Sequence, residues 1–401
     1  MSFSAIHKYL PALLLAITLA GNAFGQSSVL RSGEWHRFAI EKRGVYKISY
    51  DLLATSGINP AGIDPRKIRL FGNEGGMLPQ PNNADRPADL TELAIFVNGE
   101  EDGVFNKEDY IVFYGEGPDR TEYDASHDIF FYEHNLYSTK NFFFFTIGPD
   151  DGKRIPEQQS LPSGNHPLIQ EFDDYLYHEV DEHNELQSGR AWFGEKFDIT
   201  TSLRLPWDAE GVKENTVIKV VSDVMAQSGT GSSFSIYLNE APVAEQYLLP
   251  VSPEQYAVKG AVRRDTFSIN SSAVLAGNSQ ALEMRYQYNK AGTGRSIGYL
   301  NFVLLSFKRT LSLYGDQTIF RSAASLNNTQ STFVLGGIQS APTIWDITDP
   351  YLPTIQHFSF ANGEASFSAE TSEVLREFVA FTDQIPQADY SGAVSNQDLH
   401  G

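Results

Sequence analysis

The stretch Leu282-Glu283-Met284-Arg285-Tyr286-Gln287-Tyr288 decides the fold class. Its apolar side chains occupy every second position, and this period of two is that of a β-strand with one buried face and one face in water. The same alternation recurs over residues 234–238. Asn362-Gly363 stands between phenylalanine-rich segments and is typical of a two-residue hairpin turn, because both turn positions need a positive φ. The sequence therefore predicts an all-β protein.

Two continuous apolar runs complete this prediction. Tyr110–Tyr114 and Phe142–Ile147 have no polar alternation, which is typical of strands buried on both faces. Helical periodicity is nearly absent from the sequence. Tyr50–Ser56, followed by Gly57, predicts one or two helical turns with a glycine stop. Glu373–Phe381 fits either a short helix or a strand.

The 401 residues predict two or three folded domains after a leader segment. Turn-forming residues gather over 148–167 and predict a linker there, and a weaker break falls at 310–317. The predicted blocks are 27–150, 168–310 and 311–401. Each has the short strands and frequent turns of a β-sandwich or jelly roll, so we expect tandem domains of that kind.

Charge and cysteine content exclude several functions. The chain has 50 acidic and 30 basic residues, a net charge of −20 and no cysteine. Nucleic acid and anionic lipid surfaces both require an excess of lysine and arginine, so we expect neither as a partner. Without cysteine the sequence has no disulfide, no thiolate metal site and no cysteine nucleophile.

The first 25 residues resemble a secretory signal peptide. Lys8 provides a basic start, Leu10–Leu19 is a short apolar run, and Ala23 and Gly25 place small residues at the expected cleavage site before Gln26. The apolar run is about half of the ~20 residues that span a bilayer. The prediction is an exported protein that acts in the periplasm, at the outer membrane or at the cell surface.

One loop has the spacing of a calcium site. Residues 98–109 carry oxygen ligands in the order of an EF-hand or dockerin loop, with Gly103 at the sixth position, where the chain must turn. The predicted ligands are Asn98, Glu100, Asp102, Val104 through its carbonyl, Asn106 and Asp109. Asparagine at the first position and aspartate at the twelfth depart from the pattern, and the flanks are strands rather than helices. The alternative is a polar hairpin loop.

Other candidate sites are weaker. His178-Glu179-Val180-Asp181-Glu182-His183 resembles a zinc motif, but its histidines are five residues apart rather than four and no helical period surrounds them, so a solvated acidic loop is favoured. The glycine-rich segment 292–298 lies between two strands and predicts a hairpin loop rather than a phosphate site. There is no Gly-x-Ser-x-Gly elbow and no marked carboxylate pair. The sequence therefore assigns no catalytic residue. The aromatic content of 12% suits either core packing or a sugar-binding face.

An ordered set of phrases resembles one protein family. The phrases are Gly44-Val45-Tyr46-Lys47-Ile48, Leu70-Phe71-Gly72-Asn73-Glu74-Gly75-Gly76, Asp109-Tyr110-Ile111-Val112-Phe113-Tyr114-Gly115, Asn135-Leu136-Tyr137-Ser138, Ser188-Gly189-Arg190-Ala191-Trp192-Phe193-Gly194-Glu195, Tyr299-Leu300-Asn301-Phe302, Trp345-Asp346-Ile347-Thr348-Asp349-Pro350 and Asn396-Gln397-Asp398-Leu399-His400-Gly401. In this order they resemble the N-terminal half of the type IX secretion system sortases, members of the gingipain family of cysteine peptidases.

The resemblance implies a protein of the Gram-negative outer membrane. Such sortases remove the C-terminal sorting domain of secreted cargo and join the new C-terminus to a surface lipopolysaccharide, with a cysteine nucleophile and a histidine as base and acid. In the family these two residues lie in a domain that follows the phrase ending here at Gly401. No position of this chain matches the cysteine, and His400 belongs to the boundary phrase.

The sequence therefore predicts the non-catalytic N-terminal region of a sortase. Its expected partners are its own catalytic domain, outer-membrane components of the secretion system, and cargo proteins with C-terminal sorting domains. The segment after Asp383 is expected to be a linker into that catalytic domain. The alternative is a stand-alone exported β-sandwich adhesin or carbohydrate-binding module.

Overall fold

The computed structural model describes residues 27–162, 164–254, 256–275, 281–292 and 294–398. The predicted signal peptide, Met1–Gly25, lies outside these residues, as does His400. Strands dominate the described chain, which confirms the all-β prediction. No helix among these residues is long and apolar enough to cross a membrane.

The strands fall into three groups along the chain. The first group is β1 (Trp35–Ile40), β2 (Gly44–Ser49), β3 (Ile68–Gly72), β4 (Thr91–Leu93), β5 (Phe96–Asn98), β6 (Tyr110–Gly115), β7 (Arg120–Asp124), β8 (Ile129–Glu133), β9 (Asn141–Ile147), β10 (Glu157–Gln158) and β11 (Leu168–Ile169). The second is β12 (Glu171–Glu179), β13 (Lys196–Phe197), β14 (Ser202–Asp208), β15 (Val217–Ser228), β16 (Ser232–Leu238), β17 (Ala241–Leu248), β18 (Ala261–Asn270), β19 (Ala281–Lys290) and β20 (Ser296–Thr310). The third is β21 (Gln317–Arg321), β22 (Gln330–Leu335), β23 (Thr343–Asp346), β24 (Thr354–Gln356), β25 (Ser359–Ala361), β26 (Glu364–Glu370), β27 (Glu377–Phe381) and β28 (Asp389–Val394).

The helices are short. The α-helices are α1 (Tyr50–Thr55) and α2 (Ser271–Val274), and the 3₁₀ turns are Val29–Arg31, Pro60–Gly62, Pro65–Lys67, Glu100–Asp102 and Ala323–Asn327. The predicted helix at residues 50–56 is confirmed. Ser49 caps α1 by accepting the N–H of Leu52, and Gly57 follows the helix at φ 83°.

The N-terminal sandwich is completed by the far end of the chain. Its larger sheet has the order β28-β1-β9-β3-β4, and the smaller has the order β2-β6-β5. In β28, Tyr390 lies edge-on to the fully buried Phe38, with ring centroids 5.6 Å apart. The tail after Asp383, which we expected to be a linker, therefore supplies an edge strand to the first sheet.

The middle sandwich contains the stretch that decided the fold class. Its sheets have the orders β12-β20-β15-β18 and β14-β19-β16-β17, and β13 also pairs with β20. The apolar side chains of β19, from Leu282 to Tyr288, are all buried between the sheets. They pack against the alternating apolar residues of β16 in one core, as the sequence predicted. The hairpin predicted at the glycine-rich segment is wrong, because this segment links β19 of one sheet to β20 of the other and the two strands do not pair. Thr293 of this segment lies outside the described residues.

The C-terminal sandwich has the sheet orders β10-β24-β23-β27-β21 and β11-β22-β26-β25. Its core is aromatic: the ring of Phe333 lies 5.3 Å from that of Phe367 and 5.0 Å from that of Phe378. Asn362 and Gly363 have φ values of 54° and 77°, which confirms the predicted hairpin turn. The ambiguous segment 373–381 resolves as a strand, β27.

The segment 148–167, which was predicted to be a linker, takes part in the sheets of the C-terminal sandwich. In it, β10 pairs in parallel with β24, and the N–H of Leu161 donates to the carbonyl of Ser368 at 3.0 Å. Just beyond it, β11 pairs with β22. Each of these strands is two residues long, too short for alternation to reveal it. The C-terminal sandwich thus takes strands from before the middle one, across the predicted block boundaries.

The two apolar runs differ in their burial. The strand β6 is buried on both faces, as predicted. The same prediction is wrong for β9, where Phe142 and Phe144 are only partly buried and Ile147 is 48% exposed. On the outer face of this sheet the guanidinium of Arg37 lies 4.6 Å from the ring centroid of Phe142, and Phe144 packs against a small cluster that contains Trp35.

Candidate functional site

The predicted calcium loop connects β5 to β6 as a hairpin. It turns through the 3₁₀ segment Glu100–Asp102, flanked by Gly99 and Gly103 at φ 81° and 76°. Both glycines are in the left-handed region that other residues avoid. The sharp turn expected at Gly103 is therefore present.

The loop oxygens are engaged in hydrogen bonds. Asp102 accepts the N–H of Val104 and the side-chain amide of Asn106, both at 2.9 Å. Asp109 accepts the N–H of Asn106 at 2.6 Å.

The two other predicted ligands lie apart from this group. Glu100 turns away to accept Nε of Arg154 at 2.7 Å, and Asn98 lies in β5. No group of three or more His, Cys, Asp or Glu side chains suited to a metal occurs in the part of the chain that the structure describes. Calcium binding thus remains a prediction that requires these carboxylates to exchange their hydrogen bonds for the ion.

Thermal unfolding tests the calcium prediction. A bound ion stabilises the folded state by mass action, so the melting temperature should be higher in excess calcium than in EDTA, and Asp102→Ala should abolish that difference. Asp265→Ala, which changes a carboxylate on β18, serves as the control and should keep it. Equal melting temperatures of the wild-type chain in calcium and in EDTA would contradict the prediction that this loop binds calcium.

The segment His178–His183 does not assemble a zinc site. His178 and Glu179 are consecutive residues of β12 and point to opposite faces of its sheet, so the loop expected here is wrong for these two residues. Nε2 of His178 lies 2.6 Å from Oε1 of Glu195. Burial opposes ionisation of Glu195, yet this hydrogen bond holds its pKa below the ordinary value. His183 instead lies edge-on to the ring of Tyr299.

A serine and a histidine are in contact on the β7–β8 turn. Oγ of Ser126 lies 3.0 Å from Nδ1 of His127, and Asp124 accepts from Ser126 and lies 2.5 Å from the same Nδ1. A catalytic triad needs serine and aspartate on different ring nitrogens. This exposed cluster therefore stabilises the turn and has no catalytic geometry.

A large cleft lies where the three sandwiches meet. Its volume is about 640 Å³. Its lining includes Tyr175 and Leu176 of β12, Thr318 and Ile319 of β21, and Thr121 of β7. Its aromatic lining residues are Tyr46, Tyr132, Tyr175, Tyr177, Trp207 and Tyr314. This combination of size, aromatic lining and mixed origin makes it the principal candidate site.

A buried ion network borders the cleft. Nη2 of Arg43 lies 2.7 Å from Oε2 of Glu377, and Arg321 binds the same carboxylate. Arg43 also donates to the hydroxyl of Tyr114 at 2.8 Å, and Tyr114 donates to Glu116 at 2.7 Å. Arg43 belongs to the N-terminal sandwich and Glu377 to the C-terminal one, so this network joins the two.

The network should make stability depend on pH. Burial opposes ionisation of Glu377, but Arg321 and Arg43 lower its pKa to about 2. A lowered pKa stabilises the fold above the unfolded value of ~4.3, and this stabilisation is lost as pH falls from there towards 2. We expect the wild-type melting temperature to fall between pH 5 and 3 by more than that of Glu377→Gln, measured by circular dichroism. Parallel curves for the two proteins would contradict this assignment.

The hairpin β7–β8 closes the cleft against the middle sandwich. The N–H of Phe130 donates to Oγ of Ser306 at 3.0 Å, and the ring of Tyr132 stacks on that of Tyr177 at 3.9 Å. Lys308 of β20 reaches Asp128 on the hairpin at 3.0 Å. The cleft is thus built from fixed elements.

The charged and aromatic groups of the cleft are engaged with one another. Asp174 pairs with Arg309 at 2.8 Å, and Asp119 accepts the hydroxyl of Tyr132 at 2.5 Å. Arg309 also stacks on Tyr314, 3.6 Å from its ring centroid. Each of these carboxylates is paired, and no nucleophile with an adjacent base occurs among the lining residues.

No motif in the sequence indicated the cleft or its ion network. Arg43 and Glu377 are 334 residues apart in the chain and meet only because the N- and C-terminal sandwiches pack together.

One comparison with known proteins identifies this architecture. No family model matches the sequence, and no curated protein matches it. Among solved structures, dimeric latent PorU from Porphyromonas gingivalis superposes with a TM-score of 0.77 over 94% of this chain, at 20% identity. The chain has a PorU-like fold. It covers 34% of the length of that PorU chain, about a third.

Other solved structures resemble the chain only distantly. BuGH86 in complex with neoagarooctaose covers 69% of this chain and 32% of its own, at 11% identity and a TM-score of 0.20. The insecticidal δ-endotoxin Cry8Ea1 from Bacillus thuringiensis covers 62% of this chain and 43% of its own, at 10% identity and a TM-score of 0.23.

Proposed function

We propose that this chain is the non-catalytic N-terminal region of a type IX secretion system sortase. The observation that carries the proposal is the PorU-like fold over 94% of the chain. The ordered phrases quoted above support it independently, because they come from sequence and not from shape. The parent protein would be an exported cysteine peptidase of the outer membrane that removes C-terminal sorting domains from cargo.

Within that protein, this region would act as a scaffold and a docking surface. The support is physical: three sandwiches are joined by buried ion pairs and by the β7–β8 hairpin, which gives a fixed frame for an attached catalytic domain. The proposed partners are that domain, outer-membrane components of the secretion system, and cargo. An acidic chain of net charge −20 suits protein partners better than nucleic acid.

The proposal predicts that this chain alone does not cleave a sorting-signal peptide. The reason is chemical: the chain has no cysteine, and its cleft offers no paired nucleophile and base. A quenched fluorescent peptide that spans a cargo cleavage site should remain intact with the purified chain, as it does in buffer. Turnover that co-purifies with the chain and is lost in Glu377→Ala or another destabilised variant would contradict the proposal.

A carbohydrate-binding module is the second candidate. Its support is the aromatic lining of the cleft, which includes Trp207, because sugars stack on aromatic rings. A glycan array probed with the chain tests it. Binding of a defined glycan that Trp207→Ala abolishes would favour this function over the scaffold.

A further inference from the structure

The cleft lies between two unpaired sheet edges. In the described chain β12 pairs only with β20, and β21 pairs only with β27. Each strand is therefore the edge of its sheet, and both edges line the same cavity. Unpaired N–H and C=O groups at an edge are a template for another strand, which proteins usually cover. Here the edges are recessed in a cleft, where only a chain that fits can reach them.

The edge of β12 itself faces the cavity. Its four consecutive residues Asp174–Tyr177 all line the cleft. Successive side chains of a strand point to opposite faces. Leu176 packs against the core between the two sheets of the middle sandwich, whereas Tyr175 and Tyr177 pack against a cluster that contains Phe130 of β8. A cavity that touches side chains from both faces must lie beside the backbone between them.

The dimensions suit one short extended segment. The exposed stretch of β12 is four residues long, about 13 Å at ~3.3 Å per residue. Next to this stretch, Asp173 accepts the N–H of Ala323 at 2.7 Å and so ties β12 to the residues that follow β21.

The walls indicate what the occupant would be. Alternate side chains of an added strand would face Leu176 and Trp207 on one side and Tyr175 and Tyr177 on the other. Three of the cationic side chains around the cavity are matched, since Arg43 and Arg321 bind Glu377 and Arg309 binds Asp174. Lys42 also lines the cavity. The site thus combines aromatic, aliphatic and charged side chains with the backbone of β12, in which the N–H of Tyr175 already donates to Oδ1 of Asp174 at 2.9 Å.

We propose that an extended peptide segment binds in this cleft by adding a strand to the edge of β12. Main-chain hydrogen bonds would supply the affinity, and apolar side chains at alternate positions would supply the selectivity. The inference that this peptide comes from secreted cargo rests on the proposed function. The inference that a peptide binds by strand addition is independent of it. The test can therefore separate failure of one from failure of the other.

Selection from a random 12-residue phage-displayed peptide library tests the proposal on the whole chain. We expect enriched peptides with apolar residues at alternate positions. Trp207→Ala should weaken their binding at least ten-fold, whereas Tyr247→Ala, an aromatic change on β17 of the same sandwich, should leave it unchanged. Each variant is first shown to melt cooperatively.

Two measurements on a selected peptide keep the proposal falsifiable if Trp207→Ala does not fold. N-methylation of alternate residues removes strand donors without changing side chains, so one of the two registers should lose binding at least ten-fold. Hydrogen exchange of residues 174–177 should slow about ten-fold at a peptide concentration ten times the dissociation constant.

Three outcomes would overturn the proposal. The first is a library that yields no binding peptide. The second is that N-methylation weakens binding in neither of the two registers. The third is that peptide binding leaves the hydrogen-exchange rates of residues 174–177 unchanged. If the first outcome is accompanied by glycan binding at the cleft, the carbohydrate-binding module is the favoured function. None of these outcomes bears on whether the gene encodes a peptidase domain.

Discussion

Replacing Glu377 with alanine is expected to lower the free energy of unfolding by about 3–5 kcal/mol. The carboxylate binds two guanidiniums, those of Arg43 and Arg321, whose side chains are 18% and 7% exposed. Removing it leaves two positive charges with little access to water and without their shared partner. The loss of stability is therefore the free-energy cost of leaving buried charges unpaired, which is much larger than the contribution of a surface ion pair.

Urea unfolding followed by tryptophan fluorescence measures this effect. Glu364→Ala, which removes an exposed carboxylate at the start of β26, is the matched control and should change stability by less than about 0.5 kcal/mol. A loss below about 1 kcal/mol in Glu377→Ala would mean that the N- and C-terminal sandwiches do not depend on this network.

Ending the chain at Gln387 is expected to destabilise the N-terminal sandwich by about 3–6 kcal/mol. This truncation removes β28, its ladder with β1, and the buried Ala388. It also uncovers Phe38, on which Tyr390 packs. Lost hydrogen bonds and newly exposed apolar surface act in the same direction.

A chain ending at Asp398 is the control, because it keeps β28 and lacks only three residues. Both proteins are compared by urea unfolding and by limited proteolysis between residues 27 and 150. If the shorter chain unfolds at the same urea concentration as the control, β28 is not part of the first sheet in solution.

The sequence predicted those elements whose signal is local. The alternation of apolar and polar residues in β16 and β19 indicates that one face of each strand is buried. The dipeptide Asn362-Gly363 indicates a turn with positive φ angles, which few other dipeptides adopt. Helix α1 was predictable for the same reason, since its serine cap and glycine stop adjoin it. Each of these signals lies within a few residues and needs no knowledge of the partner strand.

The features that the sequence did not predict depend on distant contacts. The strands β10 and β11 are two residues long, and their partner residues lie 198 and 164 positions further along the chain. The strand β28 was mistaken for a linker because Pro386 and Gly392 lie within or beside it. The cleft could not be predicted, because its walls come from three sandwiches whose packing no motif records.

Sequencing the gene beyond the codon for Gly401 is the sharpest test of the proposed sortase assignment. We expect the reading frame to continue into an α/β domain that carries a cysteine and a histidine suited to peptide-bond cleavage. A stop codon directly after Gly401 would contradict it, and would leave a stand-alone adhesin or carbohydrate-binding module as the better explanation of this fold.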